Sequence, residues 1–303
     1  LKPLLFAMPG NERLAAQLGG VLPSDAGELR LHRFPDGECC PRFMTTVATR
    51  DVILVDSLDR PDGKILALYL AAAVARELGA RSIGFVIPYL PYMRQDMQFN
   101  PGEGVTSRHF ARLLSSCCNW FVAVDPHLHR HHDLSAIYTV PSGLVHAAPE
   151  IAKWIRQNVQ RPFLLGPDGE SRQWVDDVAQ AVGCPSAVLS KVRSGDRDVA
   201  VSCPDLSAWT GMTPVLLDDI VSTGSTMIAA IRLVLDAGMA APVCIAVHPV
   251  FAGDSLAAMA AAGPARIVSC NTIEHLTNQI DLSQAIAAAV GEFFGRRRPL
   301  APA

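Results

Sequence analysis

The sequence is short of the features that would place it in a specialised class. Its eight cysteines stand at Cys39, Cys40, Cys117, Cys118, Cys184, Cys203, Cys244 and Cys270, and none forms a C-x-x-C pair. Zinc ribbons and thioredoxin-like redox sites therefore lack their spacing. The cysteines read as small buried hydrophobes in a reducing compartment. A large excess of charge of either sign is also missing. The net charge is −3, which gives no electrostatic case for a nucleic-acid or membrane-surface partner. No apolar run reaches the roughly 18 residues that a bilayer span needs, and the longest, 65–75, is fenced by Lys64 and Arg76. Residues 1–13 lack the basic n-region and long apolar core of a secretion signal. The expectation is a soluble, cytoplasmic protein.

What is present is ample core material. Half of the 303 residues are apolar and 18% are charged, which excludes disorder and suits about two domains. Short β-branched runs alternate with longer amphipathic stretches. Strands are predicted over 51–55, 82–87, 120–124, 162–165, 186–189, 215–217, 243–247 and 267–269. Helices are predicted over 63–78, 105–114, 151–158, 171–182 and 226–237, with Gly79, Gly183 and Gly238 ending three of them. Repeated strand–helix–strand units imply an α/β protein whose mainly parallel sheets are flanked by helices. The turn cluster Pro141-Ser142-Gly143 marks a boundary between domains 1–143 and 144–303, with the last helix able to pack back on the first domain. The similar size and alternation of the halves hint at duplication.

The most specific local signal is Val215-Leu216-Leu217-Asp218-Asp219-Ile220-Val221-Ser222-Thr223-Gly224-Ser225-Thr226. A buried strand ends in two carboxylates, and a small-residue loop then opens a helix. Ligands of open α/β sheets bind at the carboxyl ends of strands. The backbone N–H groups and hydroxyls of Ser222, Thr223, Gly224, Ser225 and Thr226 can cradle a phosphate at the positive end of that helix. Asp218 and Asp219 would repel the phosphate but can accept hydrogen bonds from sugar hydroxyls. One loop thus offers a phosphate nest and a diol clamp, as a ribose 5-phosphate requires.

This segment resembles the phosphoribosyl-binding motif shared by type I phosphoribosyltransferases and phosphoribosyl-pyrophosphate (PRPP) synthetases. Further motifs resemble the synthetases, or ribose-phosphate diphosphokinases: Arg33-Phe34-Pro35-Asp36-Gly37-Glu38, Ile87-Pro88-Tyr89-Leu90-Pro91-Tyr92-Met93-Arg94-Gln95-Asp96, Val124-Asp125-Pro126-His127, Gly166-Pro167-Asp168 and Lys191-Val192-Arg193. They stand in family order across about 190 residues. The resemblance implies two phosphoribosyltransferase-like domains. It also implies an enzyme that transfers the diphosphoryl group of Mg-ATP to the 1-hydroxyl of ribose 5-phosphate, giving PRPP and AMP.

The same resemblance implies the site. ATP would be held by Phe34, Asp36, Gly37, Glu38, Arg94, Gln95 and Asp96, and ribose 5-phosphate by Asp218, Asp219 and Ser222 to Thr226. Lys191 and Arg193 would be catalytic, closing over the transferred group from a mobile-looking stretch, and His127 and Asp168 would be associated with Mg2+. The turn at Asp36-Gly37-Glu38 would reach the adenine of a neighbouring subunit, so a homo-oligomer, at least a dimer, with a shared active site is expected. The run His127-Leu128-His129-Arg130-His131-His132-Asp133 taken alone suggests a transition-metal site, but only His127 occupies a motif position. Residues Met97-Gln98-Phe99-Asn100-Pro101-Gly102-Glu103 carry no basic side chain, unlike the basic loop of many bacterial members, and look closer to the archaeal-type branch. A non-catalytic regulatory homologue, a PRPP-using phosphoribosyltransferase and a diphosphokinase for another phosphorylated sugar are the alternatives.

Overall fold

The computed structural model describes residues 1–128, 133–194, 198–202 and 206–295. The chain divides into two compact units, one spanning Leu1–His146 together with the C-terminal segment from Ser283, the other Ala147–Leu282. In the first unit β1 (Leu4–Ala7), α1 (Glu12–Val21), β2 (Asp25–Ala26), β3 (Leu29–Arg33), β4 (Cys39–Phe43) and β5 (Asp51–Val55) are followed by α2 (Pro61–Glu77), β6 (Ser82–Ile87), α3 (Thr106–Cys117), β7 (Trp120–Val124) and β8 (Ser142–Val145). The second unit holds α4 (Ala148–Asn158), β9 (Pro162–Gly166), α5 (Arg172–Val182), β10 (Ser186–Val188), β11 (Ser190–Ser194), β12 (Asp198–Ser202) and β13 (Thr213–Val221). It continues through α6 (Ser225–Asp236), β14 (Val243–Pro249), α7 (Ser255–Ala261), β15 (Arg266–Cys270) and β16 (Asn278–Ile280), and α8 (Ser283–Gly295) closes the chain.

Each unit is built on a six-stranded sheet, ordered β2-β1-β5-β6-β7-β8 in the first and β10-β9-β13-β14-β15-β16 in the second. Every pairing in both sheets is parallel. The orders are the same when the strands of each sheet are ranked along the chain. Each unit also inserts an antiparallel ribbon at the same topological point, β3-β4 in one and β11-β12 in the other. The duplication hinted at by the alternation is thus present in the topology.

Burial explains the elements. All residues of β5 and β7 and all but the first of β6 are buried, as strands covered by helices on both faces must be. The helices show single apolar stripes: Ser107, Phe110, Ala111, Leu114 and Cys117 on α3, and Met227, Ala230, Ile231 and Val234 on α6, follow the i, i+3, i+4 rule. Each unit has its own core, around Phe6, Phe85 and Phe121 in one and around Phe163, Leu216 and Ile231 in the other.

One expectation changes. The cluster Pro141-Ser142-Gly143 is not a linker: Ser142 and Gly143 open β8, which pairs with Phe121 and Val122 of β7, and the units divide between His146 and Ala147. The small residues there make room for a helix rather than a turn, since a Cβ on Gly143 would stand 3.2 Å from the Phe293 ring of α8. The stretch around Lys191 enters β11, where Lys191 pairs with Val201 and Arg193 with Val199 of β12, and its residues 195–197 lie outside the described residues.

The C-terminal helix belongs to the first unit because of a slot in the sheet. Gly84 of β6 lies opposite Trp120 of β7, and a Cβ at Gly84 would come within 2.0 Å of the indole. The Trp120 ring fills that space and stacks on Phe293 at 4.6 Å between centroids, with Phe294 edge-on at 5.7 Å. Gly84→Ala must therefore expel the indole from the sheet surface. It is expected to lower unfolding stability by about 2 kcal/mol or more, measured by urea denaturation; an unchanged midpoint would contradict the slot.

In the first unit the topology switches between β1 and β5, and the crevice beyond their carboxyl ends is closed by polar groups. Asn11, 3% exposed, donates through Nδ2 to Asp56 Oδ1 at 3.1 Å and accepts the Ser57 N–H at 2.8 Å. Burial pushes the Asp56 carboxyl up to about 7, against the opposing pull of Lys64 and the Asn11 hydrogen bond. The folded state binds this proton more tightly than the unfolded chain, so stability falls as pH rises from about 4 and levels off above about 7. Asp56→Asn is expected to flatten that slope and to stabilise most above pH 7, on the order of 2–4 kcal/mol. Parallel thermal melts at pH 5 and pH 8.5 measure it, and identical pH profiles for both proteins would overturn the assignment.

Candidate active site

Parallel strands deliver all their carboxyl ends to one edge, and in each unit the residues singled out by sequence lie along that edge or on the inserted ribbon. In the second unit β9 and β13 are neighbours at the switch point. Asp168 follows β9, where its carbonyl accepts the Ser171 Oγ–H at 2.7 Å and the Ser171 N–H at 3.3 Å. These bonds fix the turn that carries the half-buried carboxylate. The loop Ser222 to Thr226 follows β13. That strand runs on to Val221, past the predicted end at 217, so Asp218 and Asp219 lie within it rather than after it. Their carboxylates accept the N–H groups of Asp219 (3.1 Å) and Ile220 (2.7 Å), which holds both acids against their own backbone.

Gly224 precedes α6 with φ +73°. A Cβ there would meet nothing closer than 3.7 Å, so the left-handed backbone, not crowding by the protein, is what calls for glycine. The first-turn N–H groups of α6 have no partner within the helix. Beside them Thr223 Oγ1 and Ser225 Oγ share a 2.7 Å hydrogen bond on the exposed rim. The segment after β14 braces the loop from behind, with Phe251 N–H on Val221 O and Ala252 N–H on Ser222 O, both at 3.0 Å. A loop held on its rear face with donors on the other can bind a tetrahedral anion without rearranging.

In the first unit Phe34, Asp36, Gly37 and Glu38 form the tip of the β3-β4 ribbon. Phe34 and Glu38 close the turn through Phe34 N–H on Glu38 O (2.8 Å), Gly37 N–H bonds Phe34 O (2.9 Å), and Asp36 Oδ1 takes the Glu38 N–H (3.2 Å). Gly37 has φ +95°. The whole tip is exposed, with His32 edge-on to Phe34 at 4.5 Å. Arg94, Gln95 and Asp96 follow β6 in a turn where Gln95 N–H bonds Tyr92 O at 3.0 Å; Arg94 and Gln95 are exposed and Asp96 is buried. His127 follows β7, two residues past Asp125, whose carboxylate meets His146 Nδ1 at 3.0 Å.

Lys191 and Arg193 stand two apart on β11, and their side chains lie outside what the structure describes, as do residues His129, Arg130, His131 and His132 of the histidine run. Among the described residues, three of the five non-glycine residues with positive φ, namely Tyr92 (+63°), Asp125 (+32°) and Phe251 (+34°), fall in the segments that follow β6, β7 and β14. A bulky residue in that region costs roughly 1–2 kcal/mol. Such strain gathers where the surrounding structure must hold a loop in one shape. Sequence reasoning did not single out Tyr92, Asp62, Asn11 or Asp56; Tyr92 alone lay inside a quoted motif. Among the described residues, no helix is long and apolar enough to cross a membrane.

Comparison with known proteins agrees with this layout. Residues 4–117 match the family model for the N-terminal domain of ribose phosphate pyrophosphokinase, and residues 135–284 match that for the phosphoribosyl transferase domain. A ribose-phosphate pyrophosphokinase from Halobacterium salinarum is 32% identical over 289 residues, covering 95% of this chain and all of the relative. The enzyme of that name from Saccharolobus solfataricus is 30% identical over 264 residues, 85% of this chain and 89% of its own. The crystal structure of phosphoribosylpyrophosphate synthetase from Mycobacterium smegmatis superimposes with a TM-score of 0.85 at 22% identity, covering 98% of this chain and all of the other. The fold is that of two phosphoribosyltransferase-type units, each a parallel sheet flanked by helices. With identity of this level sustained over 85–95% of its length, the chain belongs to the ribose-phosphate pyrophosphokinase family.

Proposed function

We propose that the protein catalyses attack of the 1-hydroxyl oxygen of ribose 5-phosphate on the β-phosphorus of ATP. The new bond is O1–Pβ, the bond from Pβ to the α,β-bridging oxygen breaks, AMP leaves with that electron pair, and the hydroxyl proton passes to solvent or a base. The observation that carries this reading is the β13–α6 loop, a braced turn with phosphate-nest geometry beside two carboxylates, in a chain related over 95% of its length to a ribose-phosphate pyrophosphokinase.

On this reading Ser222, Thr223, Gly224, Ser225 and Thr226 hold the 5-phosphate, while Asp218 and Asp219 accept hydrogen bonds from the ribose hydroxyls and so orient O1. Arg94 and Gln95 hold the nucleotide, with Asp96 buried behind them in the same turn. The ribbon tip Phe34, Asp36, Gly37 and Glu38 takes the adenine of a neighbouring subunit. The exposure of the whole tip, with Phe34 43% exposed, supports that role and a homo-oligomer of at least two subunits. Lys191 and Arg193 bring positive charge to the transferred diphosphoryl group, where charge stabilisation does most of the work in phosphoryl transfer.

Mg2+ supplies charge neutralisation of the nucleotide phosphates when bound. Asp168 offers the hard carboxylate oxygen that this cation prefers, on a turn fixed by Ser171, and His127 is the second residue that would hold it.

Incubation with Mg-ATP and ribose 5-phosphate is expected to form AMP and PRPP in equal amounts. Saturating substrates that give no AMP would overturn the reading, and AMP formed only with another pentose phosphate would reassign the sugar. Lys191→Ala is expected to lower kcat by roughly 100-fold or more with ribose 5-phosphate binding by calorimetry unchanged. Full turnover in that variant would remove Lys191 from its role.

A further inference from the structure

The first turn of α2 receives a hydrogen bond from each of the two segments assigned to ATP. Arg33, at the base of the β3-β4 tip, donates from Nη2 to the carbonyl oxygen of Gly63 at 3.1 Å. Tyr92, at the start of the Arg94-Gln95-Asp96 turn, donates its phenolic O–H to Asp62 Oδ1. Asp62 is well set for this, because a carboxylate in the first turn of a helix is favoured by the helix dipole. The same turn is tied to the strand edge by Lys64, whose ammonium bonds the Ser57 carbonyl at 2.6 Å and the Asp59 carboxylate.

Tyr92 itself is held at three points. Its ring packs on Phe110 at 4.9 Å between centroids, its hydroxyl meets Asp62, and its carbonyl accepts the Gln95 N–H. The Gln95 carbonyl in turn accepts the Ser107 N–H at 3.3 Å. Its backbone sits at φ +63°, which a tyrosine does not adopt unless its surroundings impose it. The left-handed residue turns the chain so that Arg94 and Gln95 follow as the exposed part of the turn.

We propose that Tyr92 and Asp62 are a positioning pair: their hydrogen bond holds the left-handed turn that sets Arg94 and Gln95 for the nucleotide. This inference rests on the proposed function, and nothing in it requires either residue to touch substrate. The hydrogen bond also raises the Tyr92 phenol above its ordinary range, so the donor keeps its proton at any working pH.

The test measures the dissociation constant of Mg2+ with α,β-methylene-ATP, an analogue that cannot break at the reacting bond, alongside steady-state kinetics. Tyr92→Phe keeps the ring on Phe110 and removes the donor. It is expected to weaken analogue binding and raise the KM for ATP roughly 3- to 10-fold, with kcat, the KM for ribose 5-phosphate and the melting temperature little changed. Asp62→Ala should match it, Asp62→Asn, which keeps an acceptor, should stay within about twofold of wild type, and the double variant Tyr92→Phe/Asp62→Ala should be no worse than either single one. Unchanged nucleotide affinity in Tyr92→Phe, additive losses in the double variant, or equal losses for both substrates with a lowered melting temperature would each overturn the pairing. Wild-type protein that binds the analogue but forms no PRPP would refute the functional reading while the ratio of dissociation constants still decides the pairing. Wild-type protein that does not bind the analogue would refute both.

Discussion

All-parallel pairing governs this protein. Once every strand of a sheet runs the same way, the loops that carry chemistry must gather at one edge, and the crevice falls where the strand order reverses. Both units obey the same order, with the first-ranked strand beside the third and an antiparallel ribbon inserted before that third strand. The two crevices have different contents. In the first unit Asn11, Asp56 and Ser57 close it with hydrogen bonds to one another. In the second the loops after β9 and β13 bring Asp168 and Ser222 to Thr226 there. One architecture thus carries buried, mutually bonded polar groups at its switch point in one copy and groups suited to a sugar phosphate in the other.

Loop shape at these edges is maintained against backbone preference. Tyr92, Asp125 and Phe251 all have positive φ in segments that follow strands, and each is tied down: Tyr92 by Asp62 and Phe110, Asp125 by His146, and Phe251 by the Val221 carbonyl. The strained residue is not itself among the proposed ligands except as a neighbour of them. Strain next to a binding group, rather than in it, leaves that group's own side chain able to settle on its substrate.

The buried strands and amphipathic helices were legible because continuous apolar runs and 3.6-residue stripes are strong local signals. Asp51–Val55, Ser82–Ile87 and Trp120–Val124 have the expected bounds. The ribbons were not, since Leu29–Arg33 is half exposed and carries two arginines and a histidine, and Ser190–Ser194 is a polar segment whose strand character shows only in its pairing with β12. The place of α8 was legible only as an option, because the slot that receives Phe293 depends on Gly84 and Gly143, which read locally as a weak strand position and a turn. The phosphate loop stood out as a motif, yet the extent of β13 through Asp218 and Asp219 did not, because two adjacent acids look like a strand's end. The Asn11–Asp56 and Tyr92–Asp62 pairs join residues 45 and 30 positions apart, and no local pattern reports such contacts.

The central claim is a division of labour in which the second unit's β13–α6 loop takes the sugar phosphate and the first unit's turns take the nucleotide. Amide hydrogen exchange with each ligand supplied separately tests it most directly. Ribose 5-phosphate alone is expected to protect the amides of 222–226, leaving 94–96 unchanged. Mg2+ with α,β-methylene-ATP is expected to protect 94–96 and the ribbon tip 34–38. Protection of 222–226 by the nucleotide analogue and not by ribose 5-phosphate would contradict the claim.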